Sequence, residues 1–221
     1  MRLDPSVKGR HPELIVGYAI ARDARVERRV KELEDEKQRV VSEFRGKYAN
    51  VPASDVPEIR AYREFYKVMG IDPTKVRPPA EYLFRKAVAG QFPSINNLVD
   101  SCLLASLKHW SVVSVYDLER TVGAPLVTLA EKAESLQLID GRTVTPSVGE
   151  VLLKDDEKIL TAYALGDAKA TMVTLQTKNA LMVAWNAPGI GGQQVGAALS
   201  LATDYAKRFC HAIIEKTEIL S

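Results

Sequence analysis

The chain has 221 residues, which fits one large domain or one domain with an N-terminal extension and allows a substantial core. Its hydrophobic content of 46% and charged content of 26% are typical of a globular protein. The formal charge is only +2, from 30 basic and 28 acidic residues, so overall charge does not indicate a strong nucleic-acid binder, and any RNA contact must come from local clusters.

The N-terminal part is predicted to contain one strand and three helices. Residues 1–12 carry no periodicity and are expected to form a loose lead-in, whereas residues 14–21 are apolar and rich in strand formers. Residues 24–47 combine an apolar helical stripe with interleaved charges of both signs, which indicates a helix with one solvated face. Residues 57–69 and 79–89 each begin with a proline and end before a glycine, which is typical of helices.

The next segment holds the most informative polar run of the chain. Residues 94–100, Ser-Ile-Asn-Asn-Leu-Val-Asp, place two amides and a carboxylate at the mouth of a fourth helix that is expected to reach about residue 110. Ser94 is the predicted N-cap, because its hydroxyl can accept a bond from a free amide of the first turn.

The second half of the chain is predicted to be mainly sheet. Short strand-forming segments alternate with turn signals at residues 126–129, 136–139, 149–153, 159–165, 171–175 and 181–185. The Asp140-Gly141 pair predicts a hairpin, and residues 194–215 are expected to form a closing helix.

Together these elements predict an α+β fold, with N-terminal helices and a mixed or antiparallel sheet packed against helices. We expect a single domain over residues 1–221. Within it, residues 1–12 form the lead-in, residues 13–75 the N-terminal strand and helices, and residues 76–221 the core.

Cysteine usage and hydropathy indicate a cytoplasmic protein without a metal site or membrane segment. Cys102 and Cys210 lie in apolar contexts, which is typical of buried free thiols in a reducing compartment. The chain shows no ligand spacing for zinc, no apolar signal core at its N-terminus and no run of 18 apolar residues. No dinucleotide or P-loop motif is present either, so no cofactor is expected.

Several landmarks from about residue 14 onward resemble one known family, the B3/B4 domain of the phenylalanyl-tRNA synthetase beta subunit. Residues 62–73 and the pair Arg77-Pro78 look like the lead-in of stand-alone B3/B4 proteins of prokaryotes. Residues 94–100 resemble the synthetase's Ile-Asn-Asn-x-Val-Asp signature, and residues 115–118, Val-Tyr-Asp-Leu, lie where the synthetase has a His-Ala-Phe-Asp stretch. The resemblance implies a B3/B4-like fold and an amino acid or aminoacyl-tRNA as partner.

In the full synthetase this domain hydrolyses tyrosine that has been mischarged onto the tRNA for phenylalanine. The resemblance places Ser114 where the family has a histidine, and Cys102 and Leu103 where it has a threonine and an asparagine. It also places Asp167, after Gly166, where the family has a glutamate that recognises the substrate. Three polar positions of the family's editing pocket are thus changed in this chain.

The candidate site residues form three groups. The candidate catalytic residues are Asn96, Asp100, Ser114 and Asp167, and the candidate substrate-binding residues are Asn97, Tyr116, Asp117, Thr174 and Lys178. Each has an ordinary structural alternative: amides and Asp at a helix start commonly cap it, a Tyr commonly packs in the core, and strand Thr and Lys commonly face solvent. The candidate RNA-phosphate ligands are Lys75, Arg77, Arg85 and Lys86, whose contribution would depend on salt.

Two functions therefore remain open from the sequence. The first is a stand-alone protein that binds an amino acid or the aminoacyl 3′ end of a tRNA and hydrolyses a mischarged ester in trans, with a water held by amide and carboxylate groups. The second is a non-catalytic tRNA-, RNA- or small-molecule-binding protein that has kept the fold and lost editing. The changes at Cys102, Leu103 and Ser114 favour the second.

Overall fold

The computed structural model describes residues 1–220, which contain six α-helices and three β-sheets. The α-helices are α1 (Pro5–Arg10), α2 (Lys31–Tyr48), α3 (Pro57–Val68), α4 (Pro79–Val88), α5 (Asn97–His109) and α6 (Gly192–Cys210). The strands are β1 (Arg2–Leu3), β2 (Val16–Arg22), β3 (Val112–Asp117), β4 (Leu126–Leu129), β5 (Leu136–Gln137), β6 (Thr143–Val144), β7 (Val151–Lys154), β8 (Ile159–Ala162), β9 (Gly166–Asp167), β10 (Ala180–Trp185) and β11 (Ile213–Leu220).

A four-stranded antiparallel sheet, in the order β11-β2-β10-β3, forms the middle layer. One of its faces packs against α5 and α6. Its other face packs against α3 and against a five-stranded mixed sheet in the order β1-β4-β7-β8-β9. The small third sheet is the β5–β6 hairpin. The predicted α+β fold with mixed and antiparallel sheets is confirmed.

Strand β10 explains how the middle sheet can be covered on both faces, because every one of its residues is buried. Successive side chains of a strand point to opposite faces. Leu181, Val183 and Trp185 accordingly join the core between the sheets. Ala180, Met182 and Ala184 join the core beneath α5 and α6, where two alanines allow the helices to approach closely.

Two predicted helix boundaries were wrong, the start of α2 and the end of α6. The helix expected from residue 24 begins at Lys31, because the preceding segment is irregular and bonded elsewhere: the amide of Ala24 donates to the carbonyl of Lys178 at 2.8 Å. The closing helix ends at Cys210, where His211 takes a left-handed φ of 54°. Strand β11 then pairs along β2, so the C-terminal residues complete the sheet.

The predicted strand over residues 171–175 was also wrong. The chain there makes one turn of 3-10 helix, Lys169–Thr171, followed by irregular backbone. The hydroxyl of Thr177 accepts a bond from the amide of Thr174 at 2.9 Å, and the amide of Thr177 donates back to the carbonyl of Thr174. This local hydroxyl–backbone pairing folds the segment into a turn.

The first ten residues differ from the loose lead-in expected there. Strand β1 pairs in parallel with β4, and the Asp4 carboxylate caps α1 by accepting a bond from the amide of Ser6 at 2.8 Å. Val7 on α1 is fully buried in the core between the sheets. A six-residue helix gives too few turns for a periodic pattern to be visible in the sequence.

Candidate functional site

A small pocket opens between the two large sheets, beside α3, and we call it the inter-sheet pocket. Its volume is about 60 Å³. It is lined by Tyr62, Tyr66, Pro79, Val112, Ser114, Thr161, Tyr163, Gly166, Asp167 and Trp185. The walls are mainly aromatic, and the hydroxyl and carboxylate groups converge from both sheets, which is the usual composition of a small-molecule site.

Strand alternation places the candidate residues of β3 on the pocket side. Val112, Ser114 and Tyr116 alternate with Val113, which faces the helices. Tyr116 belongs to the core between the sheets and is buried, with 1% of its surface exposed. The Ser114 side chain therefore lies on the pocket side of β3, and Ser114 is also the residue that the family resemblance marked as a candidate.

The tight β8–β9 connection brings Asp167 to the same place. Thr161 lies directly opposite Asp167 in the β8–β9 pairing, so their side chains share one face. Gly166 has a φ of 123°, a conformation that side-chain-bearing residues rarely adopt, and it allows the chain to turn just before the carboxylate. Ser114 and Asp167, separated by 53 positions in the numbering (167 − 114), thus line one pocket.

A hydrogen bond between the sheets holds the Asp167 carboxylate. The hydroxyl of Tyr116 donates to Asp167 Oδ1 at 2.9 Å. Burial raises the pKa of Asp167, and the favourable interactions of its charged form with the neighbouring Thr161 and Tyr116 hydroxyls oppose that rise only in part. Burial, followed by the nearby Asp167 charge, raises the pKa of Tyr116 well above its ordinary value.

The three tyrosines of the pocket wall differ in what their hydroxyls do. The Tyr62 hydroxyl lies 3.0 Å from the carbonyl oxygen of Trp110 and accepts a bond from the amide of Val112 at 3.1 Å. The Tyr163 hydroxyl donates to the carbonyl of Asn186 at 2.6 Å. The Tyr66 hydroxyl is buried and has no hydrogen-bond partner within residues 1–220. Such a group is costly unless a ligand or a water pairs with it.

The polar run at the start of α5 is engaged in holding the helix in place. Asn96, rather than the predicted Ser94, is the N-cap, and its side chain accepts a bond from the amide of Val99 at 2.9 Å. Asn97 accepts from the amide of Glu27 at 2.8 Å and donates to the carbonyls of Arg25 and Phe209 at 2.8 and 2.9 Å.

Asp100, the remaining residue of that run, is also bonded within the fold. It accepts a bond from the amide of Ile95 at 3.0 Å and forms a buried ion pair with Lys37. Burial raises the pKa of Asp100 even though Lys37 favours its charged form. None of the three polar residues of the run, Asn96, Asn97 and Asp100, lines the inter-sheet pocket.

The other candidate substrate-binding residues also lie outside the pocket. Asp117 accepts bonds from the amide of Glu119 at 3.1 Å and from the hydroxyl of Thr177 at 2.7 Å. Thr174 borders a separate, open groove, to which Asn96 also contributes. Lys178 is exposed, and its carbonyl accepts the bond from Ala24 described above.

The basic candidates lie around one buried carboxylate. Glu81 is fully buried and is bound by Arg63, at 2.7 and 2.8 Å, and by Arg85, at 2.8 Å, with Arg77 at 3.9 Å. We call Arg63, Arg77 and Arg85 the arginine cluster. Arg63 and Arg85 hold the pKa of Glu81 below its usual value against the effect of burial. Tyr62 and Pro79, which line the pocket, lie one and two positions from Arg63 and Glu81 in the chain.

Of the two lysines predicted to bind phosphate, one lies on α4 and the other lies just before that helix. Lys86 Nζ lies 3.2 Å from the side-chain oxygen of Gln91 and 5.9 Å from the centre of the Tyr82 ring. Lys75 is exposed in the turn before α4. The four basic candidates thus lie within residues 75–86 of the chain. Arg63 of α3 joins Arg77 and Arg85 around Glu81.

Two of the changed family positions are remote from the pocket. Cys102 is buried beneath α5 and α6 in the same cluster as Cys210, and burial raises the pKa of both thiols, that of Cys210 to about 12. Leu103 packs with the helices α2, α4, α5 and α6. Ser114 is therefore the changed position that lines the pocket.

Sequence reasoning missed the aromatic wall of the pocket. Tyr62 and Tyr66 were predicted only as the apolar face of a helix, and Tyr163 and Trp185 only as parts of strands. A usable signal was present, since a tyrosine at a core position brings a hydroxyl that needs a partner. Within residues 1–220 no three His, Cys, Asp or Glu side chains form a metal-binding group, and no helix is long and apolar enough to span a bilayer.

Comparison with known proteins identifies relatives of the fold. A family model described as the B3/4 domain matches residues 61–218. The phenylalanine–tRNA ligase beta subunit of Fusobacterium nucleatum is 26% identical over 135 residues, which is 61% of this chain and 17% of that protein. A crystal structure of an N-terminal fragment of the phenylalanyl-tRNA synthetase beta subunit from Pyrococcus horikoshii matches with a TM-score of 0.52 at 14% identity, covering 100% of this chain and 53% of the fragment. The chain thus spans about half of the solved fragment and a much smaller part of the curated relative.

Proposed function

Because this chain belongs to the B3/4 domain family, we propose that it binds an amino acid or the aminoacyl 3′ end of a tRNA in the inter-sheet pocket. The observation that carries the proposal is that Ser114 of the middle sheet and Asp167 of the five-stranded sheet, which are remote in the chain, line one aromatic-walled pocket. A hydroxyl and a carboxylate that converge on a mainly apolar pocket both gain from a polar ligand.

The arginine cluster supports an RNA-linked ligand. Its three guanidinium groups surround one carboxylate, so two positive charges remain after Glu81 is neutralised (3 − 1 = 2). The side chains of Arg77 and Arg85 are 54% and 51% exposed, which leaves them accessible to a phosphate. An aminoacyl group in the pocket would place the adjoining phosphates on this side, where arginine binds them well.

The enzymatic form of the proposal is hydrolysis of an aminoacyl ester in trans. Asp167 accepts a proton from a water, the water oxygen bonds to the ester carbonyl carbon, and the carbon–oxygen bond to the ribose breaks with return of the proton to the ribose oxygen. Ser114 orients the water or the ester. Within residues 1–220 no histidine lines the pocket, which favours a water route over a serine nucleophile paired with a histidine base.

Deacylation of charged tRNAs tests the hydrolase. The purified protein would be incubated with tRNAs that carry correct and incorrect amino acids, and ester loss would be followed with time. We expect accelerated loss from at least one incorrectly charged tRNA, abolished by Asp167→Asn. The matched control is Asp155→Asn, since Asp155 is a buried aspartate that caps the β7–β8 turn outside the pocket. Ester loss at the uncatalysed rate across the whole panel would exclude the hydrolase.

A non-catalytic binding protein is the second candidate. The position of Cys102 in the core beneath the helices favours it, because this changed family position cannot present a polar group to the pocket. Retained affinity for an amide-linked, non-hydrolysable aminoacyl adenosine, together with no deacylation, would establish this alternative. In either form we propose a cytoplasmic location, where charged tRNA occurs and where the free thiols Cys102 and Cys210 stay reduced.

A further inference from the structure

The volume of the inter-sheet pocket limits what it can hold. An enclosed cavity of roughly 150 Å³ holds a benzene ring, and a single water needs roughly 10–15 Å³. At about 60 Å³ the inter-sheet pocket lies well below the first value and above the second. It has room for a side chain of a few non-hydrogen atoms and lacks room for a phenyl or phenol ring.

The pocket walls resist expansion. Tyr163 makes edge-on contacts with Tyr66 and Trp185, with ring centres 6.2 and 5.9 Å apart, and its hydroxyl is bonded to the Asn186 carbonyl. The hydroxyl of Tyr62 bridges the backbone of Trp110 and Val112 as described above. Moving either ring would leave buried backbone groups unpaired, at a cost of about 1–3 kcal/mol for each group.

The polar groups of the pocket indicate what the small side chain must carry. Asp167 uses Oδ1 to accept the Tyr116 hydroxyl, which leaves its other oxygen to accept a bond from a ligand donor. The Ser114 hydroxyl lines the same pocket and can donate to a ligand oxygen. A hydroxyl is the smallest group that donates to the first and accepts from the second.

From these observations we infer that the inter-sheet pocket selects an aminoacyl group whose side chain is small and bears a hydroxyl, such as seryl, and rejects aromatic aminoacyl groups. This inference rests on the proposed function and names its substrate class. A methyl group in the same space would leave Asp167 and Ser114 without a ligand partner, and a site built around a hydroxyl discriminates strongly against the analogue that lacks it.

Binding of three stable aminoacyl analogues tests the inference. The probes are 3′-amino-3′-deoxyadenosine acylated through an amide with serine, alanine or tyrosine, titrated calorimetrically into the full-length protein. We expect the seryl probe to bind at least tenfold more tightly than the alanyl probe and the tyrosyl probe to bind more weakly than both. Tyrosyl binding equal to or tighter than seryl binding overturns the inference while leaving the proposed function standing, as does equal binding of seryl and alanyl. Absence of binding by all three overturns the proposed function itself.

The variant Ser114→Ala separates recognition from structure. It removes the hydroxyl of a partly exposed side chain that lines the pocket and leaves the backbone pairing of β3 unchanged. We expect its melting temperature to match that of the wild type and its seryl preference over alanyl to fall by tenfold or more. A fully retained seryl preference in this variant contradicts the assignment of Ser114, and a parallel loss of seryl and alanyl affinity with a lowered melting temperature assigns it a structural role.

Discussion

The hydroxyl of Tyr116 donates to Asp167 Oδ1 at 2.9 Å and thereby joins β3 of the middle sheet to β9 of the five-stranded sheet. The two residues are 51 positions apart in the chain. Tyr116 itself does not line the inter-sheet pocket, and its bond holds the Asp167 carboxylate at the pocket wall. It therefore couples the packing of the two sheets to the proposed binding site.

Tyr116→Phe should destabilise the protein by about 1–3 kcal/mol near neutral pH, because it leaves a buried charged acceptor with fewer donors. Loss of a bond to the charged form raises the pKa of Asp167 further. The destabilisation should therefore shrink in acid, where the carboxyl group is protonated. Urea unfolding at neutral and acidic pH measures this difference. Tyr18→Phe is the control, because Tyr18 donates to Glu218, a carboxylate that remains accessible to water. Equal losses for both variants at both pH values would contradict the prediction.

Asp167→Asn should make the protein more stable at neutral pH while abolishing ligand binding. The folded pKa of Asp167 is raised above 3.8, so the unfolded chain releases this proton first as the pH rises. Wild-type stability therefore falls between 3.8 and the raised folded value and stays reduced above it, whereas the variant has no such loss. Each pKa unit of difference corresponds to about 1.4 kcal/mol. Denaturant unfolding across the acidic to neutral range measures the effect.

Asp155→Asn is the control for that experiment, because its effect on the unfolding free energy near neutral pH should have the opposite sign. The pKa of Asp155 is lowered, because Lys158 and backbone amides outweigh the effect of burial. Its ionisation therefore adds stability above the unfolded pKa that is lost in acid, and the Asn variant should be destabilised most near neutral pH. The two aspartates should give curves of opposite slope. Parallel curves would show that the environment of Asp167 does not penalise its charge.

Asn97→Ala should cost about 3 kcal/mol of unfolding free energy, because it removes three hydrogen bonds from a buried side chain. Below its melting transition the variant should bind the seryl probe as the wild type does, since Asn97 does not line the pocket. Asn179→Ala is the matched control, because Asn179 makes one exposed bond to Glu119. Loss of probe affinity without loss of stability would assign Asn97 to the site.

Lys37→Met should destabilise the fold by about 3–5 kcal/mol, because it leaves the Asp100 carboxylate buried without its cation. The double variant Lys37→Met with Asp100→Asn removes both charges and keeps an acceptor for the amide of Ile95. It should recover more than half of the loss in urea unfolding. A double variant as unstable as the sum of the two single variants would show that the pair is not energetically coupled.

Combined Arg77→Ala and Arg85→Ala substitutions should weaken binding of a single-stranded RNA oligonucleotide and lower its salt dependence by about 0.7 for each phosphate contact that is lost. Glu81 stays neutralised in this variant because Arg63 binds both of its oxygens. Filter binding over a range of salt concentrations gives the slope. Arg142→Ala is the control, since Arg142 is an exposed arginine paired with Asp140 in the β5–β6 hairpin. An equal effect of the control would show that the arginine cluster has no special role.

Local chemistry was enough to predict the α+β class and most elements. The prolines at the first positions of α3 and α4 mark helix starts through residues that are neighbours in the chain. Predictions failed where a long-range partner decided the outcome. Strand β3 was not predicted and is fixed by its pairing with β10. Residues 213–220 follow a helix and form a strand because β2 offers an open edge, and the helix does not begin at residue 24 because Ala24 and Arg25 donate their amides to distant carbonyls.

The candidate site likewise has a part that the sequence predicted and a part that depended on long-range contacts. The resemblance was sufficient to single out Ser114, Tyr116 and Asp167 as candidates, because motif spacing is a local property of the chain. Whether those side chains meet depended on how the two sheets pack. The tertiary structure also decided that Asn97 forms backbone hydrogen bonds and that Asp100 forms an ion pair, so neither is free to bind a ligand. Only the tertiary structure decided the 60 Å³ volume and the isolation of the Tyr66 hydroxyl, because both result from contacts among aromatic residues that are remote in the chain.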